Sequence, residues 1–146
     1  MSDKVFLDTN ILVYAYDDSH PKKQKQAQIL LLKSIEEENG WISVQVLGEF
    51  FSVVTKKIQQ TMSPEEAGNT IELFSIMHVV EIDAVMVGRA IGVVKQYRIS
   101  YWDALIIAAA ERSGCRMILT EDLNHGQIYN EIQAVNPFIF KQNLSS

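Results

Sequence analysis

Four acidic residues, Asp8, Glu49, Asp103 and Asp122, stand at positions where they could share one chemical task. Asp8 directly follows the apolar run Val5-Phe6-Leu7, and Asp122 lies just past Ile118-Leu119-Thr120. Glu49 and Asp103 fall in the first two turns of segments that open at Ser43 and Ser100. Carboxylates brought together repel one another unless a proton or a cation neutralises them. A hard divalent ion does this with oxygen ligands, keeps several waters and is readily shared with phosphate oxygens. The chain has one cysteine and three dispersed histidines, His20, His78 and His125, so the donor set points to Mg²⁺ or Mn²⁺ and not to zinc. Carboxylates that hold such ions are suited to phosphodiester hydrolysis.

Each acid also has a plain structural reading. Asp8 could cap a helix, and Asp103 matches a Ser-x-x-Asp capping box with Ser100. Asp122 could stabilise a turn before Asn124 and Gly126, and Glu49 could face solvent. The readings are linked, because one topology would bring all four positions together.

That topology follows from the elements. Val5 to Leu7 reads as a buried strand, followed by a short helix or turn over Ile11 to Tyr16. Pro21 to Glu38 reads as a helix, with Pro21 at its first position and Gly40 closing it. Trp41-Ile42 is a short strand, and Ser43 caps a helix to about Ile58. Ser63, Pro64 and Glu66 form a capping-box start for a helix to about Met77. Val79 to Ile82 is a strand, Ala84 to Tyr97 a helix, and Ser100 opens a helix ending near Gly114. Arg116 to Thr120 is a strand. A last strand is expected around Ala134 to Phe140, at an edge because of Pro137. Strands alternating with helices predict an α/β chain, a three-layer α/β/α sandwich around a mainly parallel sheet. Ligands of such sheets gather at the carboxyl ends of the strands, where Asp8 and Asp122 stand.

The 146 residues are 47% hydrophobic and 21% charged, which excludes a disordered chain and fits a single domain over 1–146. With only Cys115, no internal disulfide is possible. The net charge of −5 disfavours a generic basic nucleic-acid binder. The apolar run Ala104 to Ala110 is far short of the roughly 20 residues of a membrane span, and Met1 to Lys4 carry no apolar signal core. A cytoplasmic location is the expectation.

Four segments carry a resemblance: residues 5–14 (VFLDTNILVY), 42–50 (ISVQVLGEF), 100–106 (SYWDALI) and 118–123 (ILTEDL). In this order they resemble the PIN domain, most closely the small bacterial proteins similar to VapC toxins, over nearly the whole chain. The resemblance implies a metal-dependent ribonuclease using Mg²⁺ or Mn²⁺, with the acidic quartet at Asp8, Glu49, Asp103 and Asp122. Asn10 matches the position that supports the first aspartate, and Thr120 a hydroxyl beside the fourth acid. It also implies dimers and, for toxin members, an antitoxin partner that blocks the acidic pocket.

Other residues fit bland roles. Lys22, Lys23, Lys25, Lys56 and Lys57 could track RNA phosphates, but solvated helix faces explain them. Tyr101 and Trp102 could stack a base, but burial is expected. Glu121 and His125 are expected to be solvated, and Cys115 to pack. The helices from Ser63 to Met77 and from Ala84 to Tyr97 carry Ile71, Leu73, Phe74, Ile76, Met77, Val85, Met86, Val87, Ile91, Val93 and Val94, more than one sheet face absorbs, so a two-fold homodimer is expected. A haloacid-dehalogenase-type phosphatase would need an aspartate where Asn10 stands. A receiver domain would need paired acids after strand one and a late-strand lysine. The remaining rival is a non-catalytic PIN-like fold that binds RNA or a protein partner.

Overall fold

The structure, a computed structural model, describes residues 3–139. In order, its elements are β1 (Val5–Leu7), α1 (Thr9–Tyr16), α2 (Pro21–Glu36), β2 (Gly40–Ser43), α3 (Val44–Lys56) and α4 (Pro64–Phe74). They continue with β3 (His78–Val80), α5 (Ala84–Tyr97), α6 (Tyr101–Arg112), β4 (Met117–Leu119), β5 (Ile128–Tyr129) and β6 (Ile132–Val135). The strands form one sheet of order β3-β2-β1-β4-β6-β5. Every pairing is parallel except β5 with β6, so the expected α/β fold with a mostly parallel sheet is present.

The strand order explains where a site can form. From β1 the chain first builds outward through β2 and β3, then returns to place β4 on β1's other side. Loops after β1 and β4 therefore diverge, and the crevice between them is the topological switch point. Leu7 pairs in register with Leu119, and Asp8 N donates to Leu119 O at 3.0 Å. The two strand ends that carry Asp8 and Asp122 are thus locked side by side.

The layers follow from apolar patterning. Ala104 to Ala110 are all buried, so α6 is apolar around its circumference and lies between the sheet and α5. α1 and α2 pack together, and α2 also meets β2. Phe6 and Ile118, paired in register, are wholly buried. Ser63 closes a complete capping box with Glu66, as the sequence signals.

Several expectations need correction. Gly40 does not end the helix; it opens β2, while Glu38 adopts the left-handed conformation at φ 54°. Glycine is required there by contact: a Cβ would lie 2.7 Å from Met77 Cε and 2.8 Å from Ser34 Cβ. The last strand is β6, ending before Pro137, and it is an inner strand because the two-residue β5 pairs antiparallel at the edge. Pro137 starts a helical turn instead, and Phe140 lies outside the described residues. On α4, the turn after it and α5, Phe74, Met77, Met86 and Val93 are buried, whereas Leu73, Ile76, Val85 and Ile91 are 46–68% exposed. Among the described residues, no helix is long and apolar enough to cross a membrane.

Candidate functional site

Asp8 directly follows β1 and is the N-cap of α1. Its Oδ1 accepts from Thr9 N at 2.7 Å, so the capping role is real. Its Oδ2 accepts from the Thr120 hydroxyl at 2.6 Å and from Asn10 Nδ2 at 3.4 Å. Asp8 is 4% exposed. Burial pushes its carboxyl up to about 7, against the pull of the Thr120 and Thr9 hydrogen bonds. The charges of Asp122 and Glu49 raise it further.

Asn10 ties the first acid to the last. Its amide nitrogen lies 3.2 Å from Asp122 Oδ2 and 3.4 Å from Thr120 Oγ1. Its Oδ1 accepts from Glu121 N at 3.2 Å, and Thr120 Oγ1 accepts from Asp122 N at 3.1 Å. Asp122 itself is exposed.

Glu49 is half-buried on α3, not a free surface side chain. Its Oε1 accepts from the Thr9 hydroxyl at 2.7 Å and its Oε2 from Gln45 Nε2 at 3.1 Å. The same Gln45 nitrogen donates to Trp102 O at 3.0 Å, joining the starts of α3 and α6. Gln45 Oε1 is buried without a partner among the described residues. Asp103, in the first turn of α6, follows the Ser100 cap, whose hydroxyl accepts from Asp103 N at 3.1 Å. Burial raises the Asp103 carboxyl, and the charges of Asp122 and Glu49 add to the rise while Ser100 opposes it.

The four acids are thus gathered electrostatically around the strand ends but do not form a contact cluster. Among the described residues, no three His, Cys, Asp or Glu side chains are close enough to grip one ion directly. Thr9 and Asn10 stand between the carboxylates instead. The donor chemistry still fits a hard cation, since Mg²⁺ binds through one or two carboxylates and keeps water for its other positions. Asp8 and Asp103, both with raised carboxyls facing further acids, are the groups that a cation would relieve. Glu49 and Asp122 line an open cleft of about 590 Å³ together with Thr9, Asn10, Tyr14 and Lys57.

Other positions differ from their expected roles. Trp102 is not buried; it is 60% exposed, with Tyr101 edge-on at 5.0 Å. Glu121 is not solvated: it accepts from the Tyr14 hydroxyl at 2.7 Å and from Lys23 Nζ at 2.6 Å. Lys23 is therefore engaged, while Lys22, Lys25, Lys56 and Lys57 remain exposed. His125 is exposed in a turn, as expected, and its Nδ1 also accepts from Asn136 N at 2.9 Å. Cys115 is buried, as expected. Thr9, Gln45 and Tyr14 are neighbours of these acids that the sequence does not single out. Only Gln45 carries a signal, the i,i+4 spacing to Glu49 on one helix face.

A family model described as the PIN domain matches residues 5–131. A search of curated protein sequences finds no match. Solved structures with a similar fold include VapC20 of Mycobacterium tuberculosis, described as a sarcin–ricin loop cleaving toxin. It is 17% identical, with 82% of this chain and 90% of that chain covered and a TM-score of 0.68. A toxin–antitoxin complex from Klebsiella pneumoniae is 19% identical, covering 92% and 98%, with a TM-score of 0.65. DNA-bound VapBC from Salmonella typhimurium is 19% identical, covering 91% and 97%, with a TM-score of 0.64. At these identities the likeness is one of fold.

Proposed function

Since the chain belongs to the PIN domain family, we propose that it is a divalent-metal-dependent ribonuclease that hydrolyses RNA phosphodiester bonds. The observation that carries this reading is the placement of the buried Asp8 carboxyl. It lies at the sheet's switch point, is tied through Asn10 to Asp122, and senses the charges of Asp122 and Glu49. An acid whose charged form is disfavoured chiefly by burial, and further by two neighbouring acids, is a group that a cation would relieve.

In this reading Asp8, Glu49, Asp103 and Asp122 hold Mg²⁺ or Mn²⁺. Asn10 and Thr120 are positioning residues. The ion, when bound, supplies a hydroxide at neutral pH and charge stabilisation at the phosphate. The chain's own residues do the rest. Thr120 and Thr9 N fix both oxygens of Asp8, so its carboxylate needs no reorganisation. Thr9 and Gln45 hold Glu49 in one orientation. Asn10 keeps the loop bearing Asp122 against α1. The open cleft is bordered by Glu49 and Asp122 of this set.

The fold neighbours include toxins in complex with antitoxins, and this supports a toxin role with an antitoxin partner for this chain. The exposed Leu73, Ile76, Val85 and Ile91 support a homodimer. The whole chain, 1–146, is read as a single domain.

The test is incubation of single-stranded RNA with the protein in Mg²⁺, Mn²⁺ or EDTA, beside an Asp103→Asn control. Cleavage that needs metal and is lost in the control supports the reading. RNA that is bound and stays uncut under every condition favours a non-catalytic binding module instead.

A further inference from the structure

Tryptophan is a large side chain that is highly buried on average. The two in this chain divide sharply. Trp41 is half-buried, stacked on His78 at 4.4 Å with Lys4 over its ring. Trp102 is 60% exposed, touched edge-on by Tyr101. Its backbone is nonetheless fixed: it sits in the first turn of α6, and its carbonyl takes the Gln45 amide that also holds Glu49. The next residue is Asp103, whose carboxyl senses Glu49 and Asp122. Val44, 47% exposed, begins α3 one residue before Gln45. A bare indole thus stands on a held backbone, one residue before Asp103 at the start of α6.

Charge selects what can lie on it. Asp103 follows it, Glu49 shares its Gln45 partner and the chain carries −5 overall, so phosphate attraction supplies little affinity here. The neutral face of a nucleobase has no such cost, and stacking on an aromatic ring tolerates every base. Bases in a duplex are already stacked and offer no free face.

We propose that Trp102 is a stacking platform for one unpaired base of single-stranded RNA next to the scissile phosphate. This inference rests on the ribonuclease reading for its substrate, but its test separates the two.

A Trp41→Phe variant leaves Trp102 as the only indole and touches none of the acidic site. An eight-nucleotide single-stranded RNA is titrated into it in EDTA, and the same sequence is titrated as a duplex. Quenching of the indole emission by the single strand and not by the duplex is expected. Trp102→Ala, in the wild-type chain, is expected to weaken single-strand binding about 5- to 100-fold. Trp102→Phe recovers most of the loss, and the dependence of binding on salt concentration keeps its slope. With Mg²⁺, Trp102→Ala is expected to raise KM with kcat nearly unchanged. RNA that is bound and quenched but never cut upholds the platform and removes the ribonuclease reading. Wild-type affinity and KM in Trp102→Ala, or no quenching, overturn the platform while leaving any observed cleavage intact. A change from dimer to monomer in Trp102→Ala at unaltered RNA affinity would show that the indole serves a second copy of the chain, and overturns it too.

Discussion

Thr120 Oγ1 donates to Asp8 Oδ2 at 2.6 Å across 112 residues of sequence. The bond stabilises the charged form of a carboxyl that burial drives the other way. The two strands that carry these residues are in register, so the bond follows directly from the pairing of Leu7 with Leu119.

Thr120→Val keeps the shape and removes this hydroxyl. Asp8, which titrates at about 7 in the metal-free chain, then loses a group that lowers it. Its midpoint is expected to move to higher pH, followed by carboxyl carbon resonances in the absence of metal. Thr120→Ser should restore it. A midpoint unchanged or lowered in the valine variant would disprove the role given to Thr120.

Asp8 also makes stability depend on pH. Its carboxyl titrates near 3.8 when unperturbed and at about 7 in the fold. Over that window the folded chain keeps a proton that the unfolded chain has released, so metal-free stability falls as pH rises from about 4 to 7. The whole fall amounts to roughly 4 kcal/mol at most. Asp8→Asn abolishes this dependence. Its melting temperature relative to wild type, in EDTA, should climb across the window and level off above it. A difference that stays constant or shrinks with pH would contradict the assignment.

Asn10→Ala severs the amide that links Asp8, Thr120 and Asp122. Groups that orient metal-binding carboxylates are worth about 10- to 100-fold in metal affinity. Calorimetric titration with Mn²⁺ should show a weakening in that range with little change in the melting curve. Unaltered Mn²⁺ affinity would mean that Asn10 serves the loop alone.

Gly40→Ala tests the packing beneath the site. The added methyl would meet Ser34 and Met77 at distances real side chains do not adopt. Met77 can turn its terminal methyl aside, but Ser34 Cβ belongs to α2 and moves only with the helix. A loss of about 1–3 kcal/mol is expected by denaturant titration. A neutral substitution would show that α2 is less firmly seated than this geometry requires.

The acidic site is legible in the sequence because its residues follow apolar runs that suit buried strands, which puts Asp8 and Asp122 on one rim. Helix starts are legible where capping chemistry is local, as at Ser63. What stays hidden depends on long-range geometry. Glu121 reads as a surface acid until α2 brings Lys23 against it, 98 residues away in sequence. Gly40 looks like a helix terminator, because the approach of Ser34 and Met77 leaves no local mark. Pro137 suggests an edge strand, but the true edge, β5, is two residues long and too short for periodicity to reveal. Trp102 looks like core by residue type, yet α6 turns it outward one position before Asp103.

Metal-dependent RNA hydrolysis by one carboxylate set stands or falls on a single comparison. It is the cleavage rate of an end-labelled single-stranded RNA in Mg²⁺ for the wild type, Asp8→Asn, Glu49→Gln, Asp103→Asn and Asp122→Asn, all first shown to be folded. Metal-dependent cleavage by the wild type is expected, with a loss of at least about 100-fold in each of the four variants. Wild-type rates in Asp8→Asn and Asp103→Asn, or cleavage that persists unchanged in EDTA, would refute it.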